Sequence, residues 1–221
     1  YLANLAQVNE QLQQQFELEQ VDSILIIAMM TRLRQICCEP RMLYENYKGE
    51  STKFTMCLEL IETLKENGKK VLLFSSFTSI FDSFIEEFNQ RGIKYHMITG
   101  AADQKKRKEE VDAFQSDDSD VFLISLKAGG TGLNLTKAQA VIHFDPWWNV
   151  SAQNQATDRA YRIGQTKNVL VYQLLMKNTI EAKIYEMQKR KKEMSDIFVE
   201  NSNGGISTLS KEELRDLFSM E

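Results

Sequence analysis

The chain is poor in the features that would place it in several common classes. Its 3 cysteines are two neighbours, Cys37 and Cys38, and a distant Cys57, which form neither a metal-ligand spacing nor an even disulfide framework. That usage points to a reducing, intracellular compartment. There is no surplus of positive charge: the net charge is −4, so any nucleic-acid surface must be a local patch. The longest apolar run, Ile24 to Met30, is far short of the roughly 20 residues that cross a bilayer. No membrane association is expected. There is no Gly-Lys-Ser/Thr phosphate loop, and the 2 histidines, His96 and His143, lie in apolar strands without metal-ligand spacing, so no metal site is expected. What remains is ordinary for a globular protein, with 43% apolar and 26% charged residues, enough for one domain with appendages or two small ones.

The first 36 residues read as two amphipathic helices, residue 1 to about residue 18 and Val21 to Ile36, closed by Pro40. A polar stretch, Tyr44 to Thr52, reads as a linker. The pattern then alternates: a helix over Phe54–Lys65, a strand at Val71–Ser76, a helix over Thr78–Gln90 and a strand at Tyr95–Thr99. A helix over Asp103–Phe114 and strands at Val121–Ser125, Val141–Phe144 and Val169–Leu175 follow. Val71–Ser76 is a short continuous apolar run, the mark of a strand covered on both faces, and Val121–Ser125 and Val141–Phe144 read as two more buried strands. Such alternation predicts a parallel sheet between helices, with ligands at the C-terminal ends of the strands. From Thr179 a tail helix carries Ile180, Ile184, Met187, Met194 and Phe198 on one face. After an Asn-Gly-Gly break, Ser210 and Glu213 form a capping box for a short last helix.

The loops after the strands hold the informative residues. Leu126-Lys-Ala-Gly-Gly-Thr-Gly-Leu-Asn134 has glycines that either let backbone approach a ligand or merely make a tight turn. Asp145-Pro-Trp-Trp-Asn149 holds both tryptophans in a loop. They are either nucleic-acid contacts or a hydrophobic plug over the sheet. The runs Lys105–Lys108 and Lys189–Lys192 are explained by solvated helix faces, the first with i,i+4 partners at Glu109 and Glu110. Finally, Gln155, Arg159 and Arg162 recur at i, i+4 and i+7 in Gln155–Gln165, one face of a helix that Gly164 would stop. Ala156 and Ala160 allow close packing there. The two arginines are either forks for phosphate oxygens or a solvated, ion-paired face.

Together these loops resemble the second RecA-like lobe of SWI/SNF-type DNA translocases in helicase superfamily two, from about Leu33 to the C-terminus. Val71–Phe77 resembles motif IV, Lys127–Leu135 motif V, Val141–Asn149 the adjoining tryptophan motif, and Gln155–Gln165, ending Arg-Ile-Gly-Gln, motif VI. The chain departs from the usual pattern at Ser76, where a glutamine is common, and at Thr99, where an aspartate is common. The resemblance implies an α/β fold, a RecA-like parallel sheet flanked by helices, with helical N-terminal and C-terminal appendages. The expected division is a helical segment at 1–50 linking from a first lobe, the lobe at 51–177, and a helical brace at 178–221.

It also implies roles. Arg159 and Arg162 are the expected arginine fingers, with Gly132, Asn134 and Gln155 near the nucleotide. Lys127, Thr131, Trp148 and Arg107 are the expected DNA-contact residues. The expected ligands are ATP and Mg²⁺, held mainly by an N-terminal RecA-like lobe of the same protein, and the expected substrate is double-stranded DNA, with or without a protein complex on it. The Asp-Glu-x-His box and the phosphate loop are lacking here, so the chain by itself is expected to be inactive. It opens at Tyr1 within a helical pattern, as the interior of a longer protein would. The expected location is cytoplasm or nucleoid in a bacterium and nucleus in a eukaryote. A different class stays open, an inactive DNA- or partner-binding module on a degenerate motor fold.

Overall fold

The computed structural model describes residues 1–17, 22–129, 133–147, 150–160, 165, 167–197 and 210–219. The chain falls into two compact units, Glu50–Leu174 and a second made of Tyr1–Gly49 with Leu175–Glu221.

In the Glu50–Leu174 unit the order is α3 (Thr52–Glu66), β1 (Lys70–Ser75), α4 (Ile80–Arg91), β2 (Tyr95–Ile98) and α5 (Gln104–Ser116). Then come β3 (Val121–Ser125), α6 (Leu126–Gly129), β4 (Ala138–His143), α7 (Val150–Thr157) and β5 (Leu170–Gln173). All strand pairs are parallel, in the order β2-β3-β1-β4-β5. This is the expected parallel sheet between helices. Strand β4 begins earlier than its apolar run, because Ala138 and Ala140, small and fully buried, extend the pairing. The glycine-rich loop opens with the short helix α6, which its composition did not suggest.

Alternation along the strands separates two layers. On one face Leu72, Phe74, Ile98, Phe122, Ile124 and Val141 meet Phe114 of α5 and Ala156 of α7 in a single cluster. On the other, aromatic rings do most of the filling. Phe84 of α4 lies 4.6 Å from Phe54, 5.7 Å from Phe88 and, edge-on, 5.2 Å from Phe144. Helix α4 then stops at Gly92, whose φ of 62° lies in the left-handed region that suits glycine.

In the other unit, α1 (Leu2–Glu17), α2 (Ser23–Cys38), α8 (Ile180–Ile197) and α9 (Lys211–Phe218) pack together. Asp22 caps α2 by accepting from Ile24 N at 2.8 Å. The Ser210–Glu213 capping box is formed at α9. The Ile180 N–H at the head of α8 donates to the Tyr1 hydroxyl at 2.7 Å, and burial raises the Tyr1 pKa.

Edge strand β2 is fastened to α5 by His96. Its Nδ1 lies 2.7 Å from Glu110 Oε2 and its Nε2 2.6 Å from Asp117 Oδ2. Asp117 is approached from the other side by Lys70 Nζ at 3.4 Å. Burial alone would lower the His96 pKa, but the hydrogen bonds to Asp117 and Glu110 outweigh it and raise it. The Asp117 carboxyl is likewise opposed by burial yet held low by Ser119 and His96.

Two expectations follow for stability. Phe84→Ala removes a fully buried ring from three aromatic contacts and should cost about 3–5 kcal/mol in denaturant melts. For His96, a pKa raised on folding adds stability that is complete below the unfolded value of about 6.5 and is lost as pH climbs through the folded value. Melting temperature should therefore fall as pH rises from about 6 to 8, and His96→Gln should flatten that slope.

Candidate nucleotide and nucleic-acid site

Parallel strands deliver their C-terminal ends to one edge of the sheet, and there the apolar runs give way to polar residues. Ser75 ends β1 beside Ser125 of β3, and Phe74 pairs with His143 of β4. Each of these buried polar groups has a job at the start of a loop. Ser125 Oγ accepts from Ala128 N at 3.3 Å and so supports α6. Ser75 Oγ donates to Asp145 Oδ1 at 2.7 Å, and Ser76 N donates to the same oxygen at 2.9 Å. The Ser76 hydroxyl also donates to Asp145. Asp145 is fully buried, so its charge is stabilised by these donors and joins the loop after β1 to the loop after β4. The Ser76 side chain is thus turned inward onto Asp145.

His143 lies stacked on Phe74, ring centroids 5.6 Å apart, with Nε2 2.9 Å from Thr157 Oγ1. Its Nδ1 has no hydrogen-bond partner among the described residues. Burial pushes its pKa down to about 4, against the pull of Asp145, so the ring is neutral near pH 7. Of the two histidines, then, His96 is half-buried with both nitrogens engaged, while His143 is buried with one.

Trp147 is half-buried and packs against the α5/α7-side core, and its backbone N–H donates to Gln153 Oε1 of α7 at 3.3 Å. Trp148 lies outside the described residues.

Helix α7 ends at Thr157, which corrects the expected helical face. Arg159 stands just past it, in a turn in which Arg159 N donates to Ala156 O at 3.2 Å and Ala160 N to Thr157 O at 3.1 Å. Three-residue spacing in these bonds tightens the chain, so Arg159 does not continue the helical face of Gln155. Gln155 is exposed and Arg159 half-buried, while Ala156 and Ala160 are buried in the core. The Arg159 carbonyl accepts from Leu135 N at 3.0 Å. Two stretches far apart in sequence, motif-V-like and motif-VI-like, are therefore neighbours. Arg162, Gly132 and Thr131 lie outside the described residues, and Lys127 is placed only by its backbone in α6.

Arg107 and Asn134 meet in a different way. They line one cleft of about 1010 Å³, with Lys105, Arg107, Lys108 and Val111 of α5 on one wall and Leu133 and Asn134 on the other. Two of the Arg107 donors serve its own loop, Nε to Ala102 O at 2.9 Å and Nη2 to Gly100 O at 3.2 Å. Lys105 extends 3.9 Å from Glu109, one of the two expected pairs, while Glu110 turns to His96. Spacing along the chain carries no sign of Asp145 as a tie between loops, because its partners arrive from another strand.

With this geometry in view, relatives can be compared. The helicase conserved C-terminal domain matches residues 52–164. An uncharacterized ATP-dependent helicase of Mycoplasma pneumoniae is 40% identical over 207 residues, covering 91% of this chain and 20% of that protein. A putative ATP-dependent helicase/translocase of Bacillus subtilis is 36% identical over 202 residues, covering 89% of this chain and 22% of that protein. The chain thus spans about a fifth of the length of these curated relatives. Among solved structures, the Sulfolobus solfataricus SWI2/SNF2 ATPase core in complex with double-stranded DNA superposes with a TM-score of 0.78 at 31% identity. That match covers 99% of this chain and 48% of that one. The chain belongs to the helicase conserved C-terminal domain family and is a RecA-like C-terminal lobe of the SWI/SNF type.

The tie at Asp145 has a direct test. Asp145→Ala leaves Ser75, Ser76 and a backbone N–H without their charged acceptor in a buried place, and should lower stability by about 2–3 kcal/mol. Thermal melts beside Ser76→Ala, which removes one donor only and should cost less, would check this order.

Proposed function

We propose that the chain is the second motor lobe of an ATP-driven translocase on double-stranded DNA. The observation that carries this is the hydrogen bond from Leu135 N to Arg159 O, which joins the residues that follow the glycine-rich loop to the arginine segment just ahead of the first residue of β4. In this reading Arg159 and Arg162 stabilise charge that develops on the γ-phosphate of an ATP bound mainly by a first lobe. Gly132, Asn134 and Gln155 lie near that nucleotide. Lys127, Thr131, Trp148 and the α5 cleft face the DNA backbone. Guanidinium, amide and backbone N–H groups suit phosphate oxygens. Among the described residues no group of three His, Cys, Asp or Glu could hold a metal ion. The first lobe would supply the metal's ligands, and the metal would neutralise phosphate charge. Closure of the lobes places the arginines; reopening after hydrolysis moves the lobe's grip along the DNA.

The reading is supported by the names of relatives, which are ATP-dependent helicases, and by the resemblance to an ATPase core solved on double-stranded DNA. It is tested in the whole protein. Arg162→Ala should lower kcat about a thousandfold or more, with a much smaller change in ATP affinity. Arg159→Lys should also fail, since a point charge does not reproduce a bidentate fork. Trp148→Ala should keep basal hydrolysis but displace a DNA triplex poorly. Near-normal turnover in either arginine variant would overturn the assignment, as would DNA-stimulated hydrolysis by purified 1–221.

A further inference from the structure

Two glutamines grip one turn from opposite sides. Gln115, in the last turn of α5, donates from Nε2 to Asn134 O at 3.1 Å and Thr136 Oγ1 at 3.4 Å, and its Oε1 accepts from Lys137 N at 3.0 Å. Gln165 donates from Nε2 to Thr136 O at 2.9 Å, Ala138 O at 2.9 Å and Ala160 O at 3.2 Å. Its Oε1 accepts from Lys167 N at 3.0 Å. Both side chains are half-buried, and each uses the donor and acceptor ends of its amide together.

The backbone explains why these amides are needed. Strand β5 first pairs with β4 at Ala140, so the carbonyls of Thr136 and Ala138 lie before that ladder begins. On the β1 side the register shifts between Lys70 and Val71, where Ala138 enters the sheet. Gln165 supplies the N–H groups that a neighbouring strand would have given. The turn is also anchored from below, because Leu133 and Leu135 join Phe114 of α5 and Ala160 in the same buried cluster. With Leu135 N on Arg159 O, the turn is bonded to α5 on one side and to the arginine segment on the other.

We propose that Gln165 and Gln115 are positioning residues that register the Arg159 segment against α5 through the Asn134–Ala138 turn. The arginine stretch and the basic wall of the cleft then move as one piece when the lobes close. Neither glutamine needs to touch ATP or DNA for this. The proposal rests on the motor reading above. Its consequence is kinetic: an arginine that acts on the transition state is sensitive to small misplacement, which costs about ten- to a hundredfold.

The experiment is steady-state, DNA-stimulated ATPase of the whole protein carrying Gln165→Ala, Gln165→Glu, Gln115→Ala and the Gln115/Gln165 double alanine change, with Arg159→Ala alongside. All are assayed well below their measured melting temperatures. Gln165→Ala should lower kcat about tenfold or more with KM for ATP within about twofold. Gln165→Glu should be at least as impaired, since a carboxylate has no N–H for three carbonyls. The double variant should lose less than the product of the two single losses, because both act through one turn. Wild-type kcat in Gln165→Ala while Arg159→Ala is inactive would overturn the clamp and leave the motor reading standing. Strict multiplicativity in the double variant would overturn it too. If Arg159→Ala retains turnover, the motor reading falls and the clamp loses its purpose.

Discussion

Strand β1 sets the conditions for everything else in the Glu50–Leu174 unit. From Val71 to Ser75 it has no exposed residue, and it is paired on both edges by β3 and β4. A strand with this environment requires helices on both faces of the sheet. α3 and α4 cover one with their phenylalanines, and α5, α6 and α7 cover the other. The residues at which β1, β3 and β4 cease to be apolar lie at one level, and the loops must leave there.

Leaving a dry sheet is costly for polar groups, and the structure meets that cost locally. Ser75, Ser125 and His143 are buried, yet each has a partner in the loop or helix that follows a strand. The tie at Asp145 extends the same device outward on this rim, and the two glutamines do so at the opposite edge, where β4 begins. They convert loops that would otherwise drift into fixed neighbours, without lengthening any strand. A site assembled from loops on such a rim can be both polar and stiff, which suits contact with phosphate.

The helical unit of Tyr1–Gly49 and Leu175–Glu221 obeys simpler rules. Its helices bury one face each, as with Leu5, Val8 and Leu12 of α1, and their ends are closed by side chains at Asp22 and Ser210. Both the periodicity and the capping box at Ser210 are local signals. They were legible for that reason, even though the partners of these faces are distant in the chain.

Local pattern by itself determined the alternation of strands and helices, the parallel sheet and the capping of α9, because apolar period and cap chemistry act over a few residues. The family was legible too, since motifs V and VI keep their residue types in order. Tertiary structure decided what lies between them. Arg159 falls past the end of α7 rather than on its face, because hydrogen bonds from Arg159 and Ala160 three residues back tighten the chain there. Ser76 turns inward because a buried carboxylate arrives from β4. Arg107 gives two of its donors to Gly100 and Ala102. Gln165 finds its carbonyls only because β5 starts its ladder too late to reach them. Each of these outcomes depends on a partner brought from elsewhere in the fold, and spacing along the chain carries no record of such a partner.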